Sequence, residues 1–190
     1  MTTNTMTLSP VLLALLCSLQ LMAVPVPTCQ LQGNMVEDAH NLLRHLGGEF
    51  PPECLPYNAN ISFPSSALSA ATANHSQCHR ASWVVFKSLE EAELIFEDND
   101  SPVGVNGVTW DQKRLDQFRH LTDRLVGAGG CLPSVDDSGV LSTYFSHVTV
   151  ALQQQESAAC GWLALNRDLR RVLKSTLSQH HSCFTWRHAH

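Results

Sequence analysis

Cysteine is the residue type with the clearest chemistry in this chain of 190 residues, where it occurs seven times. Cys17 lies in an apolar run at residues 11–24, VLLALLCSLQLMAV, which has the length and position of a signal peptide. The run is shorter than the roughly 20 apolar residues that a membrane-spanning helix needs. Cleavage between residues 23 and 28 would remove Cys17 and leave an even number of cysteines in an oxidising compartment. We therefore predict that the remaining six form disulfides: Cys29, Cys54, Cys78, Cys131, Cys160 and Cys183.

Histidines near two of these cysteines offer a second chemistry, which is metal binding. His75 and His79 flank Cys78, and four histidines surround Cys183 (His180, His181, His188 and His190). These positions are a predicted helix start and the chain end, where polar side chains are solvated, and secreted cysteines usually pair. The sequence also lacks the HExxH, GxSxG and phosphate-binding glycine motifs of common enzymes. We predict no metal, no cofactor and no enzymatic activity.

The predicted organisation is a signal peptide at residues 1–28 followed by one extracellular domain at residues 29–190. A net charge of −5 is not the excess of basic residues that nucleic-acid binding requires, and no second apolar run predicts membrane insertion. Secretion makes two sequons, at Asn60 and Asn74, candidates for glycosylation. A third sequon, at Asn99, is disfavoured because Pro102 follows it directly.

Apolar residues recur at helical spacing in five stretches, and no stretch alternates as a strand would. The first runs from Met35 to Leu46 and is expected to end at Gly47 and Gly48. The second covers residues 77–98. The last begins near Cys160 and carries an apolar stripe of Trp162, Leu165, Leu169, Val172 and Leu173.

Local signals predict how the third and fourth helices begin and end. Thr109 and Gln112 have the spacing of a capping box, so the third helix is expected to open at Thr109 and to stop at residues 127–130. Asp137 or Ser138 is expected to cap the fourth helix. Five amphipathic helices predict an all-α bundle. The long link after the first helix permits parallel neighbours, which is the overhand pattern of helical cytokines.

The last predicted helix carries four cationic side chains on one face: Arg167, Arg170, Arg171 and Lys174. One interpretation is a solvated surface near a helix C-terminus, where positive charge is favourable. The other is an interface, because arginines clustered on a helix make good binding hot spots. Composition alone favours the solvated surface.

Four motifs resemble those of type I interferons, especially the bony-fish members. They are the Leu-Leu pair at 42–43 followed by Gly47-Gly48, the stretch VTWDQK at 108–113, Cys160-Gly161-Trp162, and Cys29 near the expected mature N-terminus. The resemblance implies an up-up-down-down bundle of five helices with a long overhand first loop. It also implies a monomeric, secreted antiviral cytokine that bridges two class II cytokine receptor chains and triggers JAK-STAT signalling.

The resemblance further implies two disulfides, Cys29–Cys131 and Cys54–Cys160, and a receptor surface on the first loop and last helix. Leu55 matches the family's apolar residue after the loop cysteine, and Arg171 keeps the basic character of a family contact. Asn58 and Asn166 stand where mammalian members often have basic residues. The alternatives are another four-helix hormone with a different receptor, or a secreted carrier of an apolar ligand.

The two cysteines beyond the family's usual four are expected to pair with each other. In an up-up-down-down bundle the second helix starts at the end of the bundle where the last helix finishes. Cys78 lies at the former place and Cys183 just past the latter, so we predict a third disulfide between them.

Overall fold

The computed structural model describes residues 29–47, 49–58, 61–68, 75–105, 108–136 and 139–187. Five long helices account for most of these residues, and two single-turn helices lie in the first loop. The predicted signal peptide, Asn60 and Asn74 lie outside the described residues. The helices are α1 (Gly33–Arg44), α2 (Leu55–Asn58), α3 (Ser65–Leu68), α4 (His75–Asp98), α5 (Gln112–Gly129), α6 (Val140–Gln153) and α7 (Ala158–Gln179), with 3-10 turns at Pro52–Cys54 and His181–Cys183.

Contacts at the helix ends establish an up-up-down-down order. The end of α1 meets the start of α5, where the Asp111 amide donates to the Leu46 carbonyl at 2.9 Å, so these helices are antiparallel. The start of α4 meets the turn after α7 through Cys78 and Cys183. The start of α1 also meets the segment after α7. Thus α1 and α4 run one way and α5 and α7 the other, while α6 returns the chain and packs on α7. The predicted all-α cytokine bundle is confirmed.

Three disulfides staple the bundle, and they join the pairs expected from the sequence: Cys29–Cys131, Cys54–Cys160 and Cys78–Cys183. The first ties the start of α1 to the end of α5. The second ties the first loop to the start of α7, at the opposite end of the bundle. Because Cys78 and Cys183 are bonded to each other, neither thiolate is available to a metal. Within the described ranges, no three His, Cys, Asp or Glu side chains are grouped as metal ligands would be.

The predicted apolar stripes form one core. Leu115, Leu165 and Leu173 are fully buried, and burying such a side chain stabilises a fold by about 1.5–3 kcal/mol. At its centre the Trp162 ring stacks on Phe96, with 5.2 Å between ring centroids and 20° between ring planes. These facing stripes explain why the five periodic stretches become helices that pack together.

Two predicted helix starts are wrong in detail. Helix α5 begins at Gln112, not at Thr109, and its N-cap is Asp111, whose carboxylate accepts from the Arg114 amide at 2.8 Å. Trp110 must enter the core, so the chain stays extended until the next residue, and an aspartate there caps well. The N-cap of α6 is Gly139, at a φ of +73°, rather than Asp137 or Ser138, which lie outside the described residues.

Two predicted helix ends are also misplaced. Helix α1 ends at Arg44, three residues before the predicted glycine pair; Gly47 then adopts a φ of +126°, and Gly48 lies outside the described residues. Helix α5 continues through the glycines that were expected to stop it, as far as Gly129. A Cβ on Gly129 would lie 2.3 Å from the Phe86 side chain, so this glycine permits close packing of α5 on α4.

The C-terminal segment is docked on the N-terminal segment, while His181 within it is exposed, as expected of polar residues near the chain end. Thr185 pairs with the N-terminal segment, where its carbonyl accepts from the Gly33 amide at 2.7 Å and its amide donates to the Leu31 carbonyl at 3.0 Å. Trp186 stacks on His181 at 4.1 Å and covers Gly33, whose missing side chain leaves room for the indole. None of the described helices combines the length and apolar character needed to cross a bilayer.

Candidate functional site

The first loop is fastened to α7 at the start of that helix. Cys54 and Cys160 are both buried and bonded, with 5.3 Å between their Cα atoms. Leu55 follows directly as the first residue of α2, and 60% of it is exposed. Because the adjacent disulfide is buried, Leu55 is an exposed apolar side chain held at a fixed position on the surface. The structure therefore places Leu55 beside the end of α7 where the Cys54 bridge attaches.

A buried carboxylate makes a second fastening further along α7. Asp168 accepts from the Arg167 Nε at 2.7 Å, from the Phe63 amide at 3.2 Å and from the Tyr144 hydroxyl at 3.1 Å. Its side chain is only 3% exposed. Such a charge is tolerated because several donors and a guanidinium compensate it. The network joins the first loop, α6 and α7 at one point.

Arg167 is held within the chain by this network. Its Nη2 donates to Asp168 at 2.9 Å and to the Ile61 carbonyl at 3.3 Å, and its guanidinium carbon lies 4.3 Å from the centre of the Phe50 ring. Of the four predicted cations, Arg167 is therefore the one that ties the loop to the helix.

Burial, followed by the neighbouring Asp168 carboxylate, raises the pKa of Tyr144 well above its usual value of about 10. Tyr144 therefore remains a neutral donor to Asp168 across the physiological range. Neither residue was singled out from the sequence. The available signal was that Asp168 is the only acidic residue of α7, and it precedes a core leucine.

The other three predicted cations lie on the outer face of α7. Arg171 and Lys174 are exposed and Arg170 is half-buried. Helix α1 adds two residues that the sequence analysis did not select, Arg44 and His40. Partial burial and then the nearby charges of Arg170, Arg44 and Lys174 lower the pKa of His40. Arg44, Arg170 and Lys174 thus lie near a His40 whose lowered pKa favours the neutral imidazole. Together with the exposed Arg171 they form what we call the α1–α7 basic surface (His40, Arg44, Arg170, Arg171 and Lys174).

Leu55 and the α1–α7 basic surface are close enough to contact the same partner protein. Arg171 lies eleven residues beyond Cys160, which is about 16 Å along the helix axis. A typical interface covers about 800 Å² on each partner, enough to include both features. Asn166, at the position where a basic contact was considered, is only 2% exposed, so it does not contribute to this surface.

Comparisons with known proteins agree with this architecture. A family model described as the interferon alpha/beta domain matches residues 29–181. Bovine interferon alpha-G is 24% identical over 147 residues, covering 71% of this chain and 74% of its own. Bovine interferon alpha-1 is 25% identical over the same shares. The structure of zebrafish interferon 2 matches with a TM-score of 0.60 and 26% identity, covering 77% of this chain and 97% of that one.

Proposed function

Because the chain belongs to the interferon alpha/beta family, we propose that it is a secreted antiviral cytokine that bridges two class II cytokine receptor chains and triggers JAK-STAT signalling. The resemblance to type I interferons of bony fish is confirmed by the family match and by the zebrafish structure. The chain is thus an interferon-like cytokine and not an enzyme. The family match over residues 29–181 is the observation that carries the proposal. This match gives no support to the two alternatives, a secreted carrier of an apolar ligand and another four-helix hormone with a different receptor.

Secretion is supported by two independent features of the chain. The apolar run at residues 11–24 precedes the part of the chain that the family model matches. Three disulfides form and persist in an oxidising compartment such as the extracellular space. Glycosylation at Asn60 and Asn74 would follow from passage through the secretory route.

The proposed site for one receptor chain combines Leu55 with the α1–α7 basic surface. Leu55 would enter an apolar pocket of the receptor, and Arg170, Arg171 and Lys174 would meet carboxylates around it. Arg167 has a different role in this proposal. Its side chain is committed to Asp168, Ile61 and Phe50, so it positions the loop and is not a principal contact.

Stimulation of cells tests the proposal most simply. The purified protein is added to cells of its own species, and phosphorylation of STAT proteins and induction of antiviral genes are measured. We expect both responses at concentrations typical of a cytokine, and we expect loss of both after deletion of either receptor chain. A folded protein that elicits neither response would contradict the proposed function.

A further inference from the structure

A second charged site lies on the side of α1 that faces α5. The two antiparallel helices leave an open groove of about 510 Å³ between them. Leu42 and Leu121 contribute apolar lining, while amides of Asn41 and Gln117 add hydrogen-bonding groups. None of these residues belongs to the α1–α7 basic surface.

Positive charge dominates this groove. Arg114 and Arg124 line it and are exposed, and among the described residues neither takes part in an ion pair. Ten residues separate them along α5, which is about 15 Å. Asp38 is the one carboxylate in the lining. The chain as a whole carries a net charge of −5, so this positive region is local and not a general property of the protein.

Two histidines add to the polar lining of the groove. His120 projects from α5 and His45 follows the end of α1. The His45 ring is held in place because its Nδ1 donates to the Asn41 carbonyl at 2.8 Å. The groove therefore presents the guanidiniums of Arg114 and Arg124 and the amide N–H groups of Asn41 and Gln117, backed by two leucines.

We propose that this α1–α5 groove binds a sulfated polysaccharide of the cell surface or extracellular matrix. Its cations complement a linear polyanion, and basic patches of this kind attract such polymers by long-range electrostatics. The amide side chains can hydrogen-bond sulfate and hydroxyl oxygens.

The shape and composition of the groove favour a polysaccharide over other anions. A channel between two helices admits a linear chain, whereas a flat bilayer cannot follow it. Single-stranded nucleic acid is usually held by aromatic side chains that stack on its bases. The groove lining contains no Phe, Tyr or Trp. The site goes beyond the proposed receptor function, since it would retain the protein near cells without using the receptor surface.

Direct binding measurements with a defined probe test the inference. The probe is a fully sulfated heparin octasaccharide, compared with the same octasaccharide after desulfation, at about physiological ionic strength. We expect the folded protein to bind the sulfated form and not the desulfated form. The variant Arg114→Ala with Arg124→Ala should bind at least roughly tenfold more weakly, since two exposed charge contacts together can give that factor.

The matched control is Lys113→Ala with Arg119→Ala. It removes the same charge from exposed positions of the same helix, but neither residue lines the groove. We expect it to change affinity by no more than about twofold. Melting curves should be unaltered in both double variants; should one unfold, the single changes Arg114→Gln and Arg124→Gln replace it.

Several results would overturn the inference. Equal weakening in both double variants would mean that only total charge matters. Equal binding of the desulfated sugar, or of a single-stranded oligonucleotide of the same charge, would remove the polysaccharide assignment. A loss confined to Arg171→Glu would move the site to the α1–α7 basic surface. Absence of binding by the unaltered protein would dismiss the site altogether.

Discussion

The guanidinium carbon of Arg167, on α7, lies 4.3 Å from the centre of the Phe50 ring, in the first loop. The same guanidinium forms two hydrogen bonds with Asp168, and that carboxylate also accepts from the backbone of the loop. The loop is therefore fixed on the helix by a stacked cation and by hydrogen bonds to a buried carboxylate, as well as by the Cys54 bridge. A receptor that binds loop and helix together would meet a preorganised surface, which lowers the entropic cost of binding.

The first prediction concerns the buried carboxylate. Asp168→Ala should lower the free energy of unfolding by about 1–3 kcal/mol, because it leaves the buried Tyr144 hydroxyl and Phe63 amide without their acceptor. Chemical denaturation measures this loss. Glu37→Ala, which removes an exposed carboxylate of α1, is the control and should change stability by no more than about 0.5 kcal/mol. Similar effects of the two changes would show that the Asp168 network contributes little.

The second prediction is a pH dependence of stability that involves His40. Its folded-state pKa is lowered by burial and by three nearby cations, so the unfolded chain takes up this proton first as the pH falls. The stabilising contribution is present above about pH 6.5, the unfolded value, and is lost as the pH falls below it. His40→Gln should therefore flatten the decline in melting temperature between about pH 7.5 and 5.5. An unchanged decline would assign the effect to other groups.

Sequence periodicity was sufficient for the five long helices, because each buries one apolar stripe against the same core. It could not predict that the α1 residues His40 and Arg44 join the cations of α7. Which flank of one helix faces another depends on how the two helices pack, and the spacing within either helix does not contain that information.

The role of Arg167 was missed for a related reason. Its helical spacing groups it with Arg170, Arg171 and Lys174, but its partners Phe50 and Ile61 come from a loop without periodicity. The cap of α5 was misassigned because Thr109 and Gln112 fit a capping box, whereas burial of Trp110 kept the chain extended to Asp111. At Arg167 and at the start of α5, tertiary packing overrode the local sequence pattern.

The third prediction compares the disulfides at the two ends of the bundle. Cys54→Ser with Cys160→Ser should cost about 2–4 kcal/mol of stability and should also weaken receptor binding of the folded protein, because the loop is no longer held on α7. Surface-immobilised receptor measures the affinity under conditions where the protein is folded.

The matched control for that variant is Cys29→Ser with Cys131→Ser, which removes the bridge at the opposite end of the bundle. It should lose stability but keep its receptor affinity. If the Cys54 variant also keeps full affinity while folded, that bridge is only a structural staple.

The fourth prediction concerns disulfide connectivity in the secreted protein. Proteolysis without reduction should yield three linked peptide pairs, and one of them should join Cys78 to Cys183. Mass spectrometry before and after reduction identifies the pairs. Detection of either cysteine in a peptide linked to any other cysteine would contradict the arrangement in which the C-terminal segment docks beside the start of α4.

The central claim is that the α1–α7 basic surface binds a receptor chain. Signalling by the Arg171→Glu variant tests this claim most directly. Arg171 is exposed, so its replacement should leave helix content unchanged and alter the free energy of unfolding by no more than about 0.5 kcal/mol. Loss of a hot-spot arginine typically costs about 2 kcal/mol or more, roughly thirtyfold in affinity. The measurement is STAT phosphorylation as a function of cytokine concentration, with Lys113→Glu, an equal charge reversal at an exposed position of α5, as the control. We predict that Arg171→Glu abolishes most signalling while Lys113→Glu signals normally. Normal signalling by a correctly folded Arg171→Glu protein would contradict the claim and identify the α7 cations as a solvated surface.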